Sequence, residues 1–165
     1  MKYRLLIFTM IAISLSVPAY GQVAMPDRTQ PTGFREQVFG LGLFGGPVGG
    51  LGVSFRHHLR EPLSYQVTAG VIKTDRRLLY DVGGEGQYDI SRGERGRFFV
   101  GVGFGYFYSG ESSGNEMKGP FRMGLGGGAE MAISPLLTGT VELMFIYFAD
   151  GTVLPLPQVG VFYYF

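Results

Sequence analysis

Few residues in this chain are equipped for chemistry, and their spacing limits what they can do. His57 and His58 are the only two histidines among 165 residues. Neighbours on an extended strand point to opposite faces, so this pair cannot easily chelate one metal ion. Gly40-Leu41-Gly42-Leu43-Phe44-Gly45 satisfies a GxGxxG pattern. A dinucleotide site would need a helix after that motif, its N-terminus meeting the pyrophosphate. Pro47 and further glycines stand where the helix would begin, so no nucleotide is expected. Cysteine is absent, which excludes a disulfide scaffold, a thiolate metal centre and a Cys nucleophile. No cofactor or metal is expected. What remains is a scatter of charges: Arg56, Arg97 and Arg122 against Asp81, Glu85, Asp89, Glu130 and Glu142. All eight fall on the side of an alternating pattern that is otherwise left to glycine and polar residues. Charges held on such a face, away from bulk water, must pair and hydrogen-bond. The expectation is a salt-bridged interior, with a small pore or a polar ligand cavity as the functional alternative.

The elements that would position these charges repeat from Glu36 to the end of the chain. Eight windows alternate with period two, each with large apolar residues on one parity. They begin with Phe39, Leu41 and Leu43, then Leu51, Val53 and Phe55, then Tyr65, Val67, Ala69 and Val71. The fourth carries Tyr80, Val82, Tyr88 and Ile90, and the fifth runs in steps of two from Phe98 to Tyr108. Phe121, Met123 and Leu125 open the sixth, Val141 to Tyr147 form the seventh, and Val159, Val161, Tyr163 and Phe165 close the chain. The oily parity is even in the fourth and fifth windows and odd in the others. Successive strand side chains alternate between faces, so each window has one oily face and one that is polar or small.

Composition narrows the class. Hydrophobic residues make up 45%, aromatic 15% and charged 16%, with 28 glycines. Charge lies below the ~25% usual for soluble domains, and glycine is more than double its usual ~7%. A formal charge of +1 provides no basic field for nucleic acid. Residues 1–21 are expected to be a secretory signal peptide. Lys2 and Arg4 precede an apolar stretch from Leu5 to Val17, and Ala19-Tyr20-Gly21 places small residues at a cleavage site. That stretch falls short of the ~20 residues a membrane helix needs. Residues 22–35, with Pro26 and Pro31, are expected to be a poorly ordered periplasmic lead-in. Residues 36–165 form the barrel domain in this reading.

The same alternation suits a soluble sandwich or lipocalin-like barrel with the oily face inward, or a transmembrane barrel with it outward. Three features favour outward. The windows approach the ~9–11 residues that a tilted strand needs to cross a bilayer. Glycine crowds the other face, where it would weaken a water-facing strand but would make room inside a narrow barrel for Phe99, Phe107, Phe162 and Arg122. Tyr65, Tyr80, Tyr88, Tyr106, Tyr108, Tyr147, Phe55 and Phe121 cluster toward the ends of the oily faces, as an interfacial girdle would. The expected fold is therefore all-β: an eight-stranded antiparallel transmembrane β-barrel, an up-and-down meander. Inner turns are expected at 59–63, 91–96 and 134–139, and outer loops at 45–50, 74–79, 109–120 and 149–157.

Val159-Gly160-Val161-Phe162-Tyr163-Tyr164-Phe165 resembles the C-terminal strand of bacterial outer-membrane barrels. Arg97-Phe98-Phe99-Val100-Gly101-Val102-Gly103-Phe104-Gly105-Tyr106 is similar to central strands of small OmpA-like and opacity-protein-like barrels. The resemblance implies export to the outer membrane of a Gram-negative-type bacterium, outer-membrane lipids as surroundings, and periplasmic chaperones and a barrel-assembly machinery as partners. It assigns Val159, Val161, Tyr163 and Phe165 to the signature that machinery reads. It leaves activity open, since such barrels include anchors, adhesins, pores and lipid-modifying enzymes. A lipid-A deacylase would need His-x-Ser, which neither histidine supplies. A palmitoyl-transfer site would need a His near Ser109 and Asp150 at the outer rim, whereas both histidines fall near an inner turn. A structural, membrane-integrity barrel without catalysis is the expected role.

Overall fold

The structure, a computed structural model, describes residues 39–165 apart from 60, 61, 94, 112, 113 and 118. The expected signal peptide and lead-in lie outside the described residues. Eight strands follow in chain order: β1 Phe39–Gly46, β2 Gly50–His58, β3 Leu63–Lys73, β4 Leu78–Arg92, β5 Gly96–Gly110, β6 Phe121–Ala132, β7 Leu137–Phe148 and β8 Val153–Tyr164. Every neighbour is antiparallel and β8 returns to β1, so the sheet closes on itself in meander order. From Leu41 the register runs through Phe55, Val67, Gly84, Phe104, Met123 and Tyr147 to Val153. Leu41 itself pairs with Tyr163. The circuit thus returns ten residues along β8 (163 against 153), a shear of ten, which for eight strands tilts them into the ~35–45° range.

Alternation sets the faces as the sequence suggests. On β1, Leu43 is 67% exposed and the next residue, Phe44, 2%. Phe98 is 63% exposed beside Phe99 at 2%. Val53, Val67, Val82, Val102, Leu125, Phe145 and Val161 all face outward, while the buried side chains include Arg56, Arg97, Glu130 and Glu142. An apolar coat on every strand and ions inside invert the arrangement of a water-soluble protein and fit a barrel in lipid. Aromatic rings gather at both ends of the coat. Near the start of β1 and the end of β8, Phe39 stacks on His57 at 4.5 Å and lies 6.5 Å from Phe165. At the opposite end Tyr80 stacks on Tyr108 at 4.7 Å, and Tyr106 meets Phe121 at 4.9 Å.

Three connections differ from their expected bounds in ways that matter, and one strand carries a bulge. The outer loop expected at 149–157 spans only 149–152, because β8 already begins at Val153. Pro155 and Pro157 lie inside the strand, opposite Phe145 and Leu143. β1 pairs with β8 no further than Val159, so among the described residues the two prolines sit where β8 has a single neighbouring strand and a missing N–H is tolerated. The β5–β6 loop shortens to 111–120, where Asn115 donates to the Phe107 carbonyl and accepts from the Ser109 N–H. Between Asp89 and Ser91 the β4–β5 register shifts, a bulge that re-aims the end of β4. The first outer connection shrinks to Pro47, Val48 and Gly49, and turns into the barrel.

Candidate functional site

The lumen is the candidate site, and its charges converge on Glu130. Arg56 donates from Nη1 to Glu130 Oε2 at 2.7 Å, from Nε to Gln66 Oε1 at 2.9 Å, and from Nη2 to Glu142 Oε1 at 3.4 Å. Arg97 donates from Nε to the same Glu130 oxygen at 2.8 Å and from Nη1 to Asp89 Oδ1 at 2.5 Å. Its remaining donors reach Ser64 Oγ at 2.9 Å and Gln87 Oε1 at 2.6 Å. The Tyr164 hydroxyl donates to Glu130 Oε1 at 2.5 Å, and His58 Nε2 lies 2.8 Å from that hydroxyl. Arg92 pairs with Asp89. Each buried guanidinium also lies over a ring: Arg56 over Phe162 at 4.1 Å and Arg97 over Phe99 at 4.6 Å. The chain supplies these groups from seven strands, β2 to β8, so the register determines which of them meet.

Two glutamines extend the network. Gln87 Nε2 donates to Glu85 Oε1 at 2.8 Å. Gln158 Nε2 donates to Glu142 Oε2 at 3.2 Å and to Glu85 Oε2 at 3.5 Å. Glu85 thus joins through amides. On its other side Gln158 Oε1 accepts from the Val48 and Gly49 N–H groups at 3.0 and 2.9 Å. A hydrogen-bonded path therefore runs from the end where β1 starts and β8 finishes to the tip of the β1–β2 loop.

That loop fills the other half of the lumen. Val48 is fully buried against Met144 and Ile146, with Phe148 and Leu156 packed beside them. Its seat is made of glycine. A methyl group on Gly103 or Gly124 would stand 2.8 or 2.9 Å from the Val48 methyls, closer than carbons pack, while Gly83 and Gly105 lie against the loop carbonyls. Gly50, at φ +99°, adopts the left-handed backbone that turns the chain back out.

Six of the eight singled-out charges (Arg56, Glu85, Asp89, Arg97, Glu130 and Glu142) are brought together. Asp81 and Arg122 are not, because the register sets both at the loop end. Asp81 Oδ1 accepts from the Leu51 N–H at 2.6 Å. Arg122 donates to the Pro47 carbonyl at 3.2 Å and lies over Phe107 at 4.1 Å and Phe148 at 5.4 Å. Both therefore hold the β1–β2 loop, a correction to their expected place in the ion-pair network. The glycine face does accommodate large rings, since carbons on Gly128, Gly105 and Gly160 would crowd Phe99, Phe107 and Phe162. Gln66, Gln87, Gln158, Tyr164 and Val48 were not singled out from sequence. The four polar or aromatic ones share the charged parity, a usable signal; Val48 in a short Gly/Pro turn carries none. Of the terminal signature, Val159, Val161, Tyr163 and Phe165 all face outward, and the Phe165 N–H donates to the Phe39 carbonyl at 3.0 Å. His57 Nδ1 lies 3.2 Å from the Tyr65 hydroxyl on the outer face. Among the described residues no cluster of His, Asp and Glu could hold a metal ion.

No protein-family profile and no curated protein sequence matches the chain. Among solved structures, the Yersinia pestis outer membrane protein Ail in a phospholipid bilayer nanodisc aligns with TM-score 0.46 and 13% identity, covering 78% of this chain and 98% of that one. The crystal structure of Neisserial surface protein A aligns at 0.41 and 17%, covering 77% and 93%. The crystal structure of Ail, the attachment invasion locus protein of Yersinia pestis, aligns at 0.39 and 12%, covering 78% and 94%.

Proposed function

We propose that this chain is an outer-membrane barrel that does not conduct, and that it serves the membrane as a structural, non-catalytic element. One observation carries the reading: the buried path of hydrogen bonds from Arg97 through Glu130, Arg56, Glu142 and Gln158 to the Val48 N–H. An eight-stranded barrel has an interior just wide enough to be filled by side chains, and here charged, amide and loop groups from opposite sides meet across it. Reconstitution into planar bilayers is the test. Wild-type protein is expected to give no unitary conductance, and reproducible unitary steps would overturn the reading.

A narrow channel or ligand-binding lumen is the second reading. It is favoured by the glycine seat under Val48, since a short loop held by a few hydrogen bonds is the part of the fill that could leave. Catalysis has less support. His58 bonds Tyr164 and His57 bonds Tyr65, so neither sits in a Ser-His-Asp arrangement. Lipid A profiled by mass spectrometry with and without expression is expected to be unchanged.

The apolar coat and the outward-facing Val159, Val161, Tyr163 and Phe165 support delivery by periplasmic chaperones and insertion by a barrel-assembly machinery. Deleting Phe165 is expected to lower the yield of heat-modifiable folded protein on unboiled gels; wild-type yield would count against the terminal signature.

A further inference from the structure

The barrel wall is incomplete at the loop end. β2 pairs with β3 only as far as Ala69, and β1 with β8 only as far as Val159. Among the described residues, Val71 to Lys73 therefore have β4 beside them and no strand on the other side, and Val153 to Gln158 have β7 alone. Both free edges stand at the aromatic ring of that end, since Val71 pairs with Tyr80 and Val153 with Tyr147. The gap thus opens at the level where the girdle meets lipid.

The lumen face behind the gap carries large aliphatic residues beside Asp81 and Arg122. Ile72 shares the face of Thr68, Leu79 that of Asp81, and Leu154 and Leu156 that of Gln158, while Phe107 and Phe148 flank the Arg122 guanidinium and Leu156 and Phe148 pack beside Val48. Ile72, Leu79 and Leu154 are 54%, 38% and 45% exposed. A mouth that met only water would not gather large aliphatic residues on its inner face. An open strand edge usually invites another strand. Here β8 carries Pro155 and Pro157 on that edge, which removes two N–H donors. Losing donors disfavours strand addition and favours hydrocarbon, where an unpaired N–H is costly.

We propose that this cup, with Val48 beneath it, binds one acyl chain of an outer-leaflet lipid, which enters sideways between β3 and β8. The inference rests on the membrane placement proposed above, and the experiment separates the two. The chain has no tryptophan, so each single Trp is a unique reporter. Three variants are compared in vesicles of phosphatidylcholine with brominated acyl chains, each first shown to be folded by its gel shift. Phe121→Trp faces outward and reports lipid contact. Phe107→Trp faces the cup. Phe99→Trp faces the ion-paired lumen on the same strand and reports quenching through the wall. Phe107→Trp is expected to lose emission nearly as Phe121→Trp does, with Phe99→Trp largely spared, and adding Leu154→Gln should restore most of the Phe107→Trp emission. Ile72→Trp replaces Phe107→Trp if the latter misfolds. Equal quenching of Phe107→Trp and Phe99→Trp, or no effect of Leu154→Gln, would overturn the acyl-chain site. An unquenched Phe121→Trp would instead overturn the membrane placement.

Discussion

In the half of the lumen nearest the start of β1 and the end of β8, Arg56 and Arg97 share Glu130, and the hydrogen bonds of both guanidinium groups end on oxygens supplied by other strands. In the half nearest the β1–β2 and β5–β6 loops, the space is taken by Val48 on a glycine seat, with Met144 and Ile146 against it. The first half is held by charge and the second by shape. A buried ion pair tolerates the loss of one partner poorly, because the survivor stays charged and unsolvated. A shape-filled half answers to volume. The difference teaches that one cylinder can be closed by two kinds of interaction with different weak points.

The sharpest way to break this contrast is Glu130→Leu. It strips both arginines of their common acceptor and is expected to cost about 3–5 kcal/mol, read as a lower urea midpoint of the heat-modifiable form. A midpoint near wild type would mean the charged half is not held by charge. Gly124→Leu probes the other half. Overpacking against Val48 is expected to cost about 1–3 kcal/mol or to expel the loop, and either result shows as lost stability or as faster amide exchange at Val48 and Gly49. Gln158→Leu tests the joint between the halves. Removing the acceptor of two loop N–H groups is expected to cost about 1–3 kcal/mol, with protection lost at those amides and retained around Arg97. Arg77→Ala is the smallest. The Arg77–Glu116 pair spans 3.6 Å with its side chains 59% and 49% exposed, and removing it should move the midpoint by less than ~1 kcal/mol.

The contrast also explains what the sequence made legible. Period two identifies strands and faces, so the outward Val102 and Leu143 and the inward Arg97 and Glu142 can be read from parity alone. Height along the axis cannot, because it depends on a shear that no single strand encodes. That is why Asp81 and Arg122 read as members of the ion network and turned out to hold the loop. Pro155 and Pro157 look like loop residues until the short β1 leaves that stretch of β8 with one neighbour. Pro47-Val48-Gly49 looks like any tight outer turn, and its inward course depends on a cup assembled by glycines from three other strands.

Gln158 and Tyr164 both arrive with the last strand, which gives biogenesis an order. Before β8 docks on β1, Glu130 lacks its hydroxyl donor and the first loop lacks its amide anchor, while Arg56 has no ring over it. An open, half-made sheet entering a bilayer would carry these incomplete groups toward oil. Insertion and sealing are therefore expected to occur together, with the final hairpin acting as a clasp that completes the interior in one event.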